Sequence, residues 1–263
     1  LNEDCTIAPV DALVAVDVGN TRIGIAVWDD DGLHDVCRVA SSDAGEWEDA
    51  IERAWGSTLG KTHRAIVIAS VQPEAARRFA DCAGEQCDVE PLFVRDDIPF
   101  PMPLKVDNPD EVGVDRVCAA AAAYERVGEA CVIASFGSAT TIDCVSPEGA
   151  FLGGAIMPGL DMSCAALHER TALLPSVTAD KPVDSYPVET RSAIVHGVVF
   201  GAVGALREIT ERFATLLRVW PRLIVTGGSA PLVAEHADFI DCHVPDLALM
   251  GVALAYRKAA GQS

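Results

Sequence analysis

The sequence predicts an α/β protein built from two similar subdomains, and three observations carry that reading. Short β-branched runs alternate with longer helical patterns. A strand–turn–strand–turn–strand–helix order occurs twice, once around Asp17 and again around Ser135. Half of the 263 residues are hydrophobic, enough to bury the core of one large domain or of two smaller ones. Residues 1–11 read as a loose lead-in, followed by strands at 12–18, 22–28 and about 33–40. Asp29-Asp30-Asp31-Gly32 marks the hairpin between the last two. A helix is expected over Glu46–Trp55 and a buried strand over Arg64–Ala69. After Ser70-Val71-Gln72, Pro73 suits a helix start, its ring fixing φ where no intrahelical N–H is needed. Residues 92–95 form a short strand, 96–112 a connector rich in Pro and Asp, and 113–127 an alanine-rich helix.

The second half repeats the order. Strands are expected at 130–134, 141–145 and 151–157, with turns at Phe136–Thr140 and Pro147–Gly149. Pro158-Gly159 precedes a helix over 160–173. A long helix over 189–217 follows, expected to bend near Gly197, Gly201 and Gly204. Next come a strand at 223–226 ending in Gly227-Gly228-Ser229, a short helix at 231–236, a strand at 239–242 and an alanine-rich helix at 247–259. The expected division is 1–112 and 113–263, with the last helix packing back on the first part. Ligands of such folds bind in a crevice, so a cleft between the two parts is expected.

Charge excludes several function classes. The formal net charge is −19, which argues against a nucleic-acid partner, since that needs a basic face to displace counterions. It argues equally against docking on an anionic membrane. No run of consecutive apolar residues approaches the roughly 20 of a membrane span. Nine cysteines are scattered with no Cys-x-x-Cys pair, and several sit in apolar runs. They read as small core residues in a reducing cytoplasm.

Asp17-Val18-Gly19-Asn20-Thr21 joins two apolar strands. It reads either as a plain hairpin or as a phosphate-binding turn. A plain turn does not need an acid at the mouth of a hydrophobic strand, and Asp17 can hold a cation there. Gly19 is expected to supply φ > 0 and close backbone approach. The turn at Gly137–Thr140 echoes this one, and Gly227-Gly228 leaves room for a flat ring. Asp115 and Arg116 fall in the first turn of the helix opening after Gly113. Asp is favoured there by the helix dipole, which is one explanation of it; a role as a base is the other. Arg116 is unfavourable for the dipole and suits a forked grip on a carboxylate. It is also expected to keep Asp115 ionised. His168 and His196 read as core or interface residues, because neither has a partner at metal-ligand spacing.

In this order the pieces resemble the nucleotide site of the sugar-kinase, heat-shock and actin superfamily, and within it the chain is similar to the type III pantothenate kinases. The motifs carrying the resemblance are Asp17-x-Gly19-Asn20-Thr21, Ser70-Val71-x-Pro73, Asn108-Pro109 through Gly113-x-Asp115-Arg116, and Gly137-Ser138-Ala139-Thr140-Thr141-x-Asp143. Gly153-Gly154-Ala155-Ile156-x-Pro158-Gly159, Leu167 to Pro175, Thr190 and Thr226-Gly227-Gly228 complete them. The resemblance implies two actin-like (ribonuclease H-like) subdomains with a nucleotide cleft between them. It implies ATP-dependent phosphorylation of pantothenate to 4'-phosphopantothenate, the first step of coenzyme A synthesis, by a cytoplasmic homodimer. Carried over residue by residue, it makes Asp17, Val18, Gly19, Asn20, Thr21, Arg22, Ile23 and Gly24 the first phosphate loop, with Asp17 near Mg2+. Ser138, Gly227 and Gly228 join them around ATP. It makes Asp115 the general base, and Gly113, Val114, Asp115 and Arg116 the pantothenate site, with Thr190 reaching pantothenate across the dimer interface. A monovalent cation, K+ or NH4+, is also implied. Its position falls on Ser135, where the family has Asp, so an alternative reading is a catalytically impaired nucleotide-binding homologue with an accessory or regulatory role.

Overall fold

The computed structural model describes residues 7–262, so Cys5 and part of the expected lead-in lie outside the described residues. Contacts divide the chain into two compact units. The first comprises Leu1–Pro103, Asp107–Ala122 and Leu247–Ser263; the second comprises Leu104–Val106 and Ala123–Asp246.

The first unit is built on β1 (Ala12–Val18), β2 (Arg22–Asp29), β3 (Gly32–Ala40), β4 (Arg64–Ser70) and the two-residue β5 (Leu92–Phe93). Their order is β3-β2-β1-β4-β5, antiparallel from β3 to β1 and parallel from β1 to β5. Alternation along β1 sorts its side chains. Val14, Val16 and Val18 join Trp47 of α1 (Ala44–Ser57) and Phe79 of α2 (Pro73–Cys87) in one core. Leu13 and Ala15 face the other way, toward Cys118 of α3 (Val114–Val127) and Leu249 and Val252 of α7 (Leu247–Ala259). Asp17 continues that second row. Asp43 caps α1 by accepting from Gly45 and Glu46, and Gln72 caps α2 by accepting from Ala75 at 2.8 Å, leaving fewer orphan N–H groups at both starts.

The second unit repeats the topology. β6 (Cys131–Phe136), β7 (Ala139–Val145), β8 (Phe151–Pro158), β9 (Arg222–Thr226) and β10 (Cys242–His243) run in the order β8-β7-β6-β9-β10. Val132, Ala134, Phe136, Ile142 and Val225 pack with Leu160 of α4 (Leu160–Glu169), Ala202 and Leu206 of α5 (Thr190–Leu217), and Val233 of α6 (Ala230–Ala234).

Several expectations are corrected. The units do not divide at residue 112: the start of α3 stays with the first sheet, where Val114 and Cys118 are buried, and α7 returns to it. α4 ends at Glu169 instead of Leu173, because Thr171 turns its hydroxyl onto the Leu167 carbonyl (2.7 Å) and Leu173 is 92% exposed, with nothing to bury. The last strand shifts from 239–242 to 242–243, since Phe239 and Ile240 pack into the core and Asp241 binds the Leu223 N–H at 2.8 Å. α5 is long and apolar enough, by length and composition, to cross a membrane. Counting only strictly apolar runs missed it, because glycines and a histidine interrupt the run without adding charge. Its inner side, including Ile194, Val199 and Leu206, is buried in the protein, and a core helix passes the same test. The eight described cysteines are free, and burial pushes the thiols of Cys87 and Cys144 up to about 11 and that of Cys131 to about 12.

Phe79 is fully buried with its ring centre 5.9 Å from that of Trp47. Phe79→Ala is expected to cost about 3–5 kcal/mol through lost burial and the cavity left behind, read as a lower urea midpoint.

Candidate active site

In the first unit two acids are brought together. Asp17 sits at the end of β1, opposite Gly24 on β2 and Ala69 on β4. The residue is half-buried, but its Oδ1 is enclosed and has no hydrogen-bond partner. Burial, then the negative charge of Asp115, raise its carboxyl to about 7, while Arg38 on β3 pulls the other way. An enclosed, unpaired carboxylate oxygen is what a hard cation requires of a ligand, so this position fits Mg2+.

Asp115 lies in the first turn of α3, and its Oδ1 accepts from the Arg116 N–H at 2.8 Å. Gly113 makes room for it: a Cβ there would stand 2.6 Å from that oxygen and 3.4 Å from Val71 Cγ1. Val71 is itself pinned to the first hairpin, its N–H donating to Val18 O at 3.2 Å. Arg116 favours the ionised form of Asp115, as expected, but it is outweighed. Burial raises the carboxyl, and the Arg116 amide and guanidinium only oppose it. A carboxylate so placed is a stronger proton acceptor than one in water.

The turn from Gly19 to Arg22 is tied by main-chain bonds. Gly19 N–H donates to Arg22 O at 3.0 Å, Ser41 N–H to Thr21 O at 3.1 Å, and Ser41 Oγ to Gly19 O at 2.9 Å. Gly19 is not in the left-handed region; what its missing side chain spares is Arg22 O, 3.1 Å from where a Cβ would stand. Asn20, Thr21 and Arg22 are exposed, whereas Val18 and Ile23 are wholly buried, so these two can offer a ligand only main chain. Val114 is likewise buried in the core.

In the second unit three turns meet. Gly137-Ser138 forms a two-residue turn, shorter than expected, with Gly137 N–H donating to Ala139 O at 3.1 Å. Gly159 N–H donates to Ser138 O at 3.2 Å, and a Cβ on Gly159 would stand 2.3 Å from Gly137 O. Gly227, at φ +95°, would place a Cβ 2.5 Å from Phe136 O, which also accepts from Ser229 N–H at 3.1 Å. Ser138 and Gly228 are exposed, and a Cβ on Gly228 would meet open space. Ser135 stands across from Thr141 on β7 and Thr226 on β9. Thr140, behind the turn, has a buried hydroxyl with no partner. Thr190 is the exposed first residue of α5. Arg38 and Ser41 were not singled out in the sequence. Arg38 acts through strand register and Ser41 through a loop contact, and neither leaves a local signature.

The repeated five-stranded topology, each copy carrying a glycine-bearing hairpin, makes the chain a member of the actin-like ATPase and hexokinase fold class. Its fold is similar to that of the activator of 2-hydroxyisocaproyl-CoA dehydratase from Clostridium difficile with bound ADPNP. The TM-score is 0.54 at 13% identity, over 95% of this chain and 96% of that one. The sequence profile of the type III pantothenate kinases matches residues 13–212. A type III pantothenate kinase of Anaeromyxobacter sp. (strain K) is 38% identical over 251 residues, 94% of this chain and 99% of that protein. One of Dehalococcoides mccartyi (strain ATCC BAA-2266 / KCTC 15142 / 195) is 34% identical over 255 residues, 93% and 97%. The chain belongs to the type III pantothenate kinase family.

Asp17 yields a pH-dependent prediction. Its folded value of about 7 lies above the unfolded one, so the folded state holds a proton that the unfolded state has lost. Without cation or nucleotide, this group therefore costs nothing at low pH and costs more as pH rises from about 4 to 7, reaching at most about 4 kcal/mol. Asp17→Asn is expected to raise the melting temperature much more at pH 8 than at pH 4.5, measured without Mg2+ or ATP.

Proposed function

We propose that this protein catalyses the reaction of its family, transfer of the γ-phosphoryl group of ATP to the primary hydroxyl of pantothenate, yielding 4'-phosphopantothenate and ADP for coenzyme A synthesis. The observation that carries the assignment of roles is the Asp17–Asp115 pair in the first unit, one acid unpaired and enclosed, the other made more basic by burial. Phosphoryl transfer asks mainly for positioning and charge neutralisation. Asp115 accepts the hydroxyl proton as oxygen attacks phosphorus, and Gly113 to Arg116 hold pantothenate, Arg116 supplying a positive charge for its carboxylate. Asp17 is the protein ligand for Mg2+, which when bound offsets the negative charge of the phosphates. Main chain from Asp17 to Gly24 and the hydroxyl of Ser138 serve the phosphates, and Gly227-Gly228 leaves space for the nucleoside.

The working form is proposed to be a homodimer in which Thr190 reaches the pantothenate of the partner subunit. Tyr186 and Val188, just ahead of Thr190, are 91% and 92% exposed, and a second copy would bury them. For the monovalent cation we propose the position beside Ser135, with the hydroxyls of Ser135, Thr141 and Thr226 as candidate ligands on adjoining strands. Hydroxyl oxygens without a carboxylate make a weaker site for K+ or NH4+. The eight free thiols agree with a reducing compartment. No observation favours the silent homologue.

The test is ATP- and pantothenate-dependent ADP release by purified protein across K+, NH4+ and Na+ salts. Turnover is expected in at least one salt, with Asp115→Asn slower by about 100- to 10,000-fold, the usual worth of a positioned base. Absence of turnover in every salt sinks the reading. Ser135→Asp is expected to lower the K+ concentration needed for half-maximal rate, read from rate against K+ concentration.

A further inference from the structure

α7 is a core helix of the first unit. Leu249, Gly251, Val252, Ala253, Ala255 and Tyr256 are all enclosed. Two of its contacts fall behind the two acids. A Cβ on Gly251 would lie 1.9 Å from Cys118 O, 2.2 Å from its carbonyl carbon and 2.6 Å from its Cα. These are main-chain atoms, so α7 and α3 touch backbone to backbone and no larger residue fits without moving a helix. Cys118 is one turn beyond Asp115 on α3. It also lies near both acids, because the charges of Asp17 and Asp115 add to burial in pushing its thiol well up. Two residues before Gly251, Leu249 rests on β2, with Cδ1 3.4 Å from where a Cβ on Gly24 would stand. Gly24 is the residue across from Asp17.

We infer that α7 is a positioning element for the two acids: Gly251 sets how closely α3 and Asp115 approach the sheet, and Leu249 supports the strand opposite Asp17. The inference rests on the kinase reading for its consequence in rate, though its geometry belongs to the first unit alone. Neither residue touches substrate. Opening a 1.9 Å approach to contact distance requires α3 and α7 to separate by more than 1 Å, and a misplacement of that size at a reacting group costs about 100-fold in rate.

Kinetics and crystallography of Gly251→Ala, Leu249→Ala and Tyr256→Phe test it. Tyr256→Phe is the control: it removes the 2.8 Å bond from the Tyr256 hydroxyl to Ala8 O, elsewhere on the same helix. Gly251→Ala is expected to lose about 100-fold in kcat, with KM for ATP and pantothenate within about twofold. Leu249→Ala is expected to lose kcat in the same sense by about 10-fold, and Tyr256→Phe to keep it even where its Tm falls. Wild-type kcat in Leu249→Ala, or an equal kcat loss in a Tyr256→Phe protein of matched Tm, overturns the inference. Leu249→Ala decides alone if Gly251→Ala does not fold. Crystal structures of wild type and Leu249→Ala give a readout that needs no turnover: a changed Asp17–Asp115 separation supports the inference, and an unchanged one overturns it. Wild-type protein without activity would count against the kinase reading and leave that comparison intact.

Discussion

A carboxylate without a hydrogen bond, enclosed at the end of a central strand, is the constraint on which the first unit depends. Asp17 Oδ1 has lost water and gained no protein partner. In an apolar setting such an oxygen is costly until a cation or a proton joins it. Its surroundings leave it so: Gly24 and Ala69 stand on either side with little to offer, and the nearest acid, Asp115, repels it. Arg38 offsets part of that repulsion across the sheet. The fold thus keeps a charge deficit at one place, and folding free energy elsewhere offsets it. The apolar row of Leu13 and Ala15 beneath, with α7 against it, is where that burial lies.

Much of this was legible in the sequence. The alternation Val14, Val16, Val18 against Leu13, Ala15, Asp17 sets the two faces of β1, and Asp29 to Gly32 and Pro147 to Gly149 mark turns by their own chemistry. Asp17 and Asp115 stood out because an acid is out of place beside a hydrophobic strand and unusually well placed at a helix start. What the sequence could not show depends on contact between distant segments. Arg38 reaches the field of Asp17 through antiparallel register across β2. The balance at Asp115 depends on how deeply α3 is buried, so Arg116 acts in the expected direction while burial, which the sequence does not show, outweighs it. Gly251 looks like any small residue in an alanine-rich helix until Cys118 is seen against it.

Glycine earns different roles in the two hairpins. In the first, Gly19 spares a carbonyl within its own turn. In the second, Gly159 and Gly227 come from other segments and press main chain against the backbone of Phe136, Gly137 and Ser138. The second turn is therefore shaped by packing of polypeptide on polypeptide.

That has a consequence for how such a site can diverge. Where a loop is moulded by neighbouring backbone, its shape depends less on which residues it presents. Ser135 occupies a ladder position whose main-chain hydrogen bonds belong to the strand, so exchanging acid and hydroxyl there leaves the ladder's pairing as it is. If the proposed cation position beside Ser135 holds, its ionic preference is then set by one residue, separable from the scaffold that carries it.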